Sequence, residues 1–220
     1  AFIIYLATGN SPQELLPDWG NLTSALTQAM GGTSSGPSQP ELADGETAEI
    51  HFIDVGQGDS ILIRSGGSNI LIDAGEKDQG TVVNAYLDKL GIEKLDLVIG
   101  THPHSDHIGG LDVVLDAHPV ERIILPVIPD DLVPTTRTYE DLLTSIQTQG
   151  LKITPAKPGE TYTFGDGVLE ILGPVTDEYD DLNDFSVVSR FCFGEWAVLL
   201  TGDMESDAEA DLLEAGTDVS

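Results

Sequence analysis

The run LDLVIG, Leu95 to Gly100, constrains this chain most: it is apolar at almost every position and leads directly into THPHSDHIGG, Thr101 to Gly110. A strand apolar on both faces needs cover on both faces, which points to a sheet packed between layers. The stretch it delivers holds three of the five histidines of the sequence and one aspartate between His102 and His107. His102 and His104 are two residues apart, so in extended backbone their imidazoles point the same way and can grip one cation. Asp106 and His107 fall in the first turn of the following helix, with Ser105 as its expected cap and Gly109 and Gly110 expected to let the backbone close around a ligand. They can face a second cation, about 3.5 to 4 Å from the first. Imidazole with carboxylate suits zinc, manganese or iron, and the sequence does not choose among them. His51, in an early strand, and His118, before Pro119 at a helix end, read as structural rather than ligating.

The surrounding pattern fits a layered fold. AEIHFIDV, SILIRS and NILIDAG are short β-branched and aliphatic runs separated by GQGD and GGS, which predicts three consecutive antiparallel strands. TVVNAYLDKLG then sets Val82, Val83, Tyr86, Leu87 and Leu90 on one helical face and stops at Gly91. After the histidine motif, helices are expected at IGGLDVVLDA, YEDLLTSIQTQG and ESDAEADLLEAG. Strands are expected at ERIILP, KITPA, TYTF, VLEIL, SVVSRFCF and WAVLLTG. Antiparallel strands followed by alternating strands and helices describe an α/β protein with a mixed sheet or two sheets layered with helices.

The termini and the charge narrow the class. AFIIYLA is far shorter than the roughly 20 residues that span a bilayer, and reads as the stub of a signal or upstream membrane anchor, as a short strand, or as a tail. GGTSSGPSQPELADGE, Gly31 to Glu46, has the composition of a flexible linker, so residues 1–46 are expected to form an acidic arm, with a short helix around Leu22 to Met30, and residues 47–220 the main domain. Nine Lys and Arg against 38 Asp and Glu give a net charge of −29, which argues against a general nucleic-acid binder. The single cysteine, Cys192, excludes an internal disulfide framework.

The H-x-H-x-D-H spacing of His102, His104, Asp106 and His107 resembles the signature of the metallo-β-lactamase superfamily, and LIDAG, with Asp73, resembles that fold's first motif. DVGQGDSILI, Asp54 to Ile63, is similar to the opening of the catalytic domain of ComEC-type competence proteins. NDFSVVSRFCFGEWAVLLTGD, Asn183 to Asp203, resembles a later segment of that group. The resemblance implies a metallo-β-lactamase-like four-layer αβ/βα sandwich that binds two divalent metal ions, zinc or manganese. It implies His102, His104, Asp106, His107 and Asp203 as ligands, with Asp203 bridging the metals; a cap on the ESDAEADLL helix is the alternative for Asp203. Asp73 is implied to hold a histidine ligand by its second nitrogen, or else to be a turn residue. Asp59 lines the site or serves its turn, and Ser186 hydrogen-bonds a substrate phosphate or a water in the site.

The pattern departs from the superfamily in two respects: its common middle histidine is absent, with NDFS resembling the ComEC-type replacement there, and a later ligand is missing. A later histidine ligand is normal in the superfamily, and this sequence has none after His118. The expectation is a chain lacking its C-terminal part, with a second metal position short of a ligand and weakly bound. The activity implied is metal-dependent hydrolysis by a phosphodiesterase or nuclease of ComEC type, with Asp106 orienting water and taking its proton. Its substrate would be a phosphodiester, in DNA during uptake or in an envelope polymer. An envelope esterase of phosphorylcholine-esterase type and a non-catalytic metal-binding or scaffolding domain are the alternatives. An extracellular or cell-surface location is expected, and no protein partner is inferred.

Overall fold

The computed structural model describes residues 2–7, as backbone only, and residues 47–219. The arm and the helix expected around Leu22 to Met30 lie outside the described residues. Two sheets face each other. In the larger one, seven strands follow in chain order: β1 (Phe2–Ala7), β2 (Thr47–Phe52), β3 (Ile61–Ser65), β4 (Ser68–Ile72), β5 (Leu97–Ile99), β6 (Ile123–Leu125) and β7 (Ile153–Pro155). Pairing is antiparallel from β1 to β4 and parallel from β4 to β7. FIIYLA is therefore the edge strand of this sheet. The smaller sheet, β8 (Thr161–Phe164), β9 (Gly167–Ile171), β10 (Ser189–Phe193) and β11 (Trp196–Leu200), is an antiparallel meander.

The two-residue period of the strands sorts their side chains between two cores. Ile61, Ile63, Ile70, Ile72, Leu97 and Ile99 point toward the smaller sheet, where Leu169, Ile171, Phe191 and Phe193 meet them. Leu62, Leu71, Val98 and Ile123 point the other way, under α1 (Gly80–Lys89), α3 (Leu111–Ala117) and α4 (Arg137–Thr148). On the outer face of the smaller sheet, Leu212 of α5 (Ser206–Glu214) packs with Leu172, Val188 and Leu199. Helices, sheet, sheet and helix make the four-layer αβ/βα sandwich expected from the sequence. At about 1.5–3 kcal/mol for each fully buried aliphatic or Phe side chain, these layers supply the main drive to fold. Among the described residues no helix is long and apolar enough to cross a membrane.

Helix α1 ends as expected, with Gly91 at φ +69° and the amides of Gly91 and Ile92 returning to the carbonyls of Asp88 and Leu87. Its face is narrower than expected. Val83 and Leu87 are buried with Tyr86 and Leu90 beside them, but Val82 is exposed, because it lies outside the i, i+3, i+4, i+7 stripe that starts at Val83.

Candidate metal centre

Strand β5 delivers Thr101 and His102 to the C-terminal rim of the parallel strands, and the four-residue helix α2 (Ser105–Ile108) presents Asp106 and His107. Ser105 does not cap this helix. His104 occupies the N-cap position in extended conformation, and no side chain caps the end. Nor do Gly109 and Gly110 face a ligand. A side chain on Gly109 would strike the backbone at Glu76 and Lys77, and one on Gly110 would strike Ala74 and Gly80. The glycines let the motif press against the loop after β4, where Ala74 N–H donates to His107 O at 2.8 Å and Gly110 N–H to Gly75 O at 3.0 Å.

That contact sets Asp73 directly against the histidines. Asp73 is fully buried with φ +56°, a left-handed conformation that few non-glycine residues adopt, and it follows the last residue of β4. Its carboxylate accepts three hydrogen bonds, from Thr101 N–H at 2.8 Å, Thr101 Oγ1 at 2.6 Å and His107 Nδ1 at 2.8 Å. The network orients both rings. His107 Nδ1–H donates to Asp73, which turns His107 Nε2 toward Asp203 Oδ1, 3.2 Å away. Thr101 gives its only hydroxyl proton to Asp73, so its oxygen, 3.1 Å from His102 Nδ1, accepts from that nitrogen. The His102 Nε2 lone pair is thereby left for the site.

Ligand atoms of His102, His107 and Asp203 lie within 4.8 Å of one another, the two imidazoles buried and the carboxylate exposed. His104 joins through His102, with His104 Nδ1 and His102 Nε2 3.1 Å apart. Two imidazole nitrogens on one tetrahedral zinc, at 2.0–2.1 Å each, would stand about 3.3 Å apart, so the pair fits a shared cation. Asp106 is not in the cluster of three; its carboxylate accepts a hydrogen bond from Gln57. Asp59 is half-buried in the same GQGD loop. Burial raises its carboxyl above the usual range, the charges of Asp73, Asp203 and Asp106 add to this, and His107 opposes it.

The structure places Ser186 differently from expectation and removes the alternative reading of Asp203 as a helix cap. Ser186 is buried beneath the site, where its Oγ accepts Asp203 N–H at 3.2 Å and lies 3.4 Å from His102 Nδ1. It braces His102 and Asp203 from below rather than standing open to a substrate. The cap on α5 is Asp184, not Asp203. Asp184 Oδ1 accepts Glu205 N–H at 3.0 Å and Ala208 N–H at 3.2 Å, which leaves the Asp203 carboxylate facing His107. Thr101 and Gln57 are additions that residue-type reasoning passed over. The only sequence signals for them are a hydroxyl beside the first histidine and an amide inside DVGQGDS. His51, bonded to Glu49 and Tyr86, and His118, 4.0 Å from Asp88, stand outside the centre.

Without metal the charges fall unequally. Burial pushes the His102 imidazole down to about 3, and His107 and His104 push the same way, so it is neutral and ready to ligate. Burial also disfavours a His107 cation. Its hydrogen bond to Asp73, with the charges of Asp73, Asp203 and Asp106, nevertheless holds it up at about 9. One positive charge on a proton thus occupies the ground where a metal cation fits. Paired imidazoles, a carboxylate and a buried anion that orients them are the donor set of a divalent metal site.

A four-layer sandwich with this histidine and aspartate cluster at its strand ends defines a metal-dependent hydrolase class. Residues 53–218 match the metallo-β-lactamase superfamily model, and the chain belongs to that superfamily. ComE operon protein 3 of Bacillus subtilis is 30% identical over 183 residues, which cover 75% of this chain and 23% of that protein. A ribonuclease Z of Saccharolobus islandicus is 38% identical over 71 residues, 29% of this chain and 23% of that protein. The chain thus spans less than a quarter of the length of these curated relatives. A solved metallo-β-lactamase of Cronobacter sakazakii shares the fold, at a TM-score of 0.50 and 14% identity over 68% of this chain and 60% of that one. Superfamily members typically bind divalent metals and act as hydrolases.

Proposed function

We propose that the chain is a metal-dependent phosphodiesterase of nuclease type. The observation that carries this is the convergence of His102, His107 and Asp203 within 4.8 Å, with Asp73 and Thr101 aiming the imidazoles. A ribonuclease and a ComE operon protein among the relatives support the substrate class. Two bound zinc or manganese ions would supply the Lewis acid that acidifies water and offsets charge on a phosphoryl oxygen. In this reading His102 and His104 would hold one ion and Asp106 and His107 the other, with Asp203 contributing its carboxylate to the same centre.

Asp106 would orient the attacking water and take its proton. Burial alone would raise its carboxyl, but the Gln57 hydrogen bond, its own backbone N–H and the charges of His107 and His102 together hold it below the usual range, so it starts as the accepting anion. A net charge of −29 favours a second substrate, a small or choline-bearing phosphodiester of the cell envelope, over long nucleic acid. Either substrate would be met outside the cytoplasmic membrane. Turnover of single-stranded DNA across a salt series, against a choline phosphodiester and a bis-aryl phosphodiester, each with Mn2+ or Zn2+, tests the reading. Loss of turnover in His102→Ala supports it; no turnover of any phosphodiester with either metal refutes it.

A further inference from the structure

The loop between β2 and β3 touches the metal motif in a way that metal-ligand chemistry alone does not explain. Its base is closed by Ile53 N–H donating to Ser60 O at 2.8 Å, and Asp54 Oδ1 accepts Gly56 N–H at 3.2 Å inside it. Gly75 N–H, from the loop after Asp73, donates to Asp59 O at 2.9 Å and pins the far side. Gly58, at φ +83°, lies so close to the motif that a Cβ there would sit 1.6 Å from the Asp106 carbonyl oxygen. Only glycine permits both that conformation and that approach.

With the loop so seated, Gln57 Nε2 donates to Asp106 Oδ2 at 3.1 Å, across 49 positions of sequence. An ionised carboxylate only accepts, which fixes the amide nitrogen, not its oxygen, toward Asp106. We propose that Gln57, presented by the glycine-backed loop, is the positioning residue of Asp106: it occupies one carboxylate oxygen and turns the other toward a divalent cation. Gln57 is exposed, and a solvated hydrogen bond of this kind adds little to folding, so orientation is the effect it can have. Ligating carboxylates are commonly held by such a second hydrogen bond, and losing it weakens metal binding by about 10–100-fold.

The proposal rests on the dinuclear reading above, and a Mn2+ titration separates the two. Free ion is followed by electron paramagnetic resonance, in wild type, Gln57→Ala, Gln57→Glu and Gly58→Ala. The expected result is two equivalents in wild type and, in each variant, a second equivalent weakened about 10–100-fold with the first unchanged. The metal-free melting temperature of Gln57→Ala should match wild type, which a structural role would not allow. If wild type binds two equivalents and Gln57→Ala binds both as tightly, the role of Gln57 is refuted and the dinuclear reading stands. If wild type takes up no second equivalent, the dinuclear reading falls and the proposal with it.

Discussion

Asp73 Oδ2 stands 2.8 Å from His107 Nδ1, and the aspartate reaches it from a backbone at φ +56°. The same carboxylate governs His102 through Thr101, so one buried anion sets the metal-facing nitrogen of two imidazoles. Asp73→Asn keeps the size of this group but offers an N–H where acceptors are needed, and it removes the charge that holds His107. Metal affinity should fall about 10–100-fold, read by competition with a chromophoric chelator.

Thr101 relays that anion to His102. Thr101→Val keeps the shape and deletes the hydroxyl, leaving His102 Nδ1 without its nearer partner. The metal-free protein should lose about 1–3 kcal/mol in urea unfolding, the penalty for an unsatisfied buried polar group. Thr101→Ser should recover most of that loss and the metal affinity with it.

Asp184 ties the fold to the site from the other side. It caps the start of α5, which closely follows Asp203, from a turn 21 positions upstream of Glu205. Asp184→Ala should cost about 0.5–2 kcal/mol of stability by melting temperature, and it should also weaken metal binding because the Asp203 turn loosens. Asp184→Asn, which keeps an accepting oxygen, should be milder in both measurements.

Another buried carboxylate, Glu49, gives a pH dependence remote from the candidate metal centre. Glu49 accepts hydrogen bonds from Arg64 at 2.9 Å and His51 at 3.0 Å. Burial alone would raise its pKa, but the His51 hydrogen bond, the Arg64 charge and their lesser contributions bring it below the ordinary glutamate value of 4.5. A depressed folded pKa contributes stability that is complete above the unfolded value and lost as pH falls through the folded one. Wild type should therefore exceed Glu49→Gln by about 1.5–3 kcal/mol at neutral pH in urea unfolding, and the gap should narrow below pH 4.5.

Periodicity made the layers legible. Alternation in SILIRS and NILIDAG predicts which residues face each core, and the apolar LDLVIG run becomes a central strand that carries the metal motif. Ligand types and their spacing predict His102, His104 and His107 together. The features that were not legible depend on contacts between distant segments. Ser186 looks like a substrate-facing hydroxyl until the chain folds it beneath His102, and Gln57 has no meaning until Gly58 lies on Asp106. Val82 and Ser105 fail for a local reason: one helical step moves a residue off the buried stripe or past the cap position.

The central claim, that the cluster of His102, His107 and Asp203 binds divalent cations, is tested most directly by anomalous diffraction from crystals soaked in Mn2+ or Zn2+ and recorded at the metal's absorption edge. The account predicts two peaks at the cluster, one beside His102 Nε2 and one beside His107 Nε2, both near the Asp203 carboxylate. A peak elsewhere with this cluster empty, or no peak at millimolar metal, would contradict it.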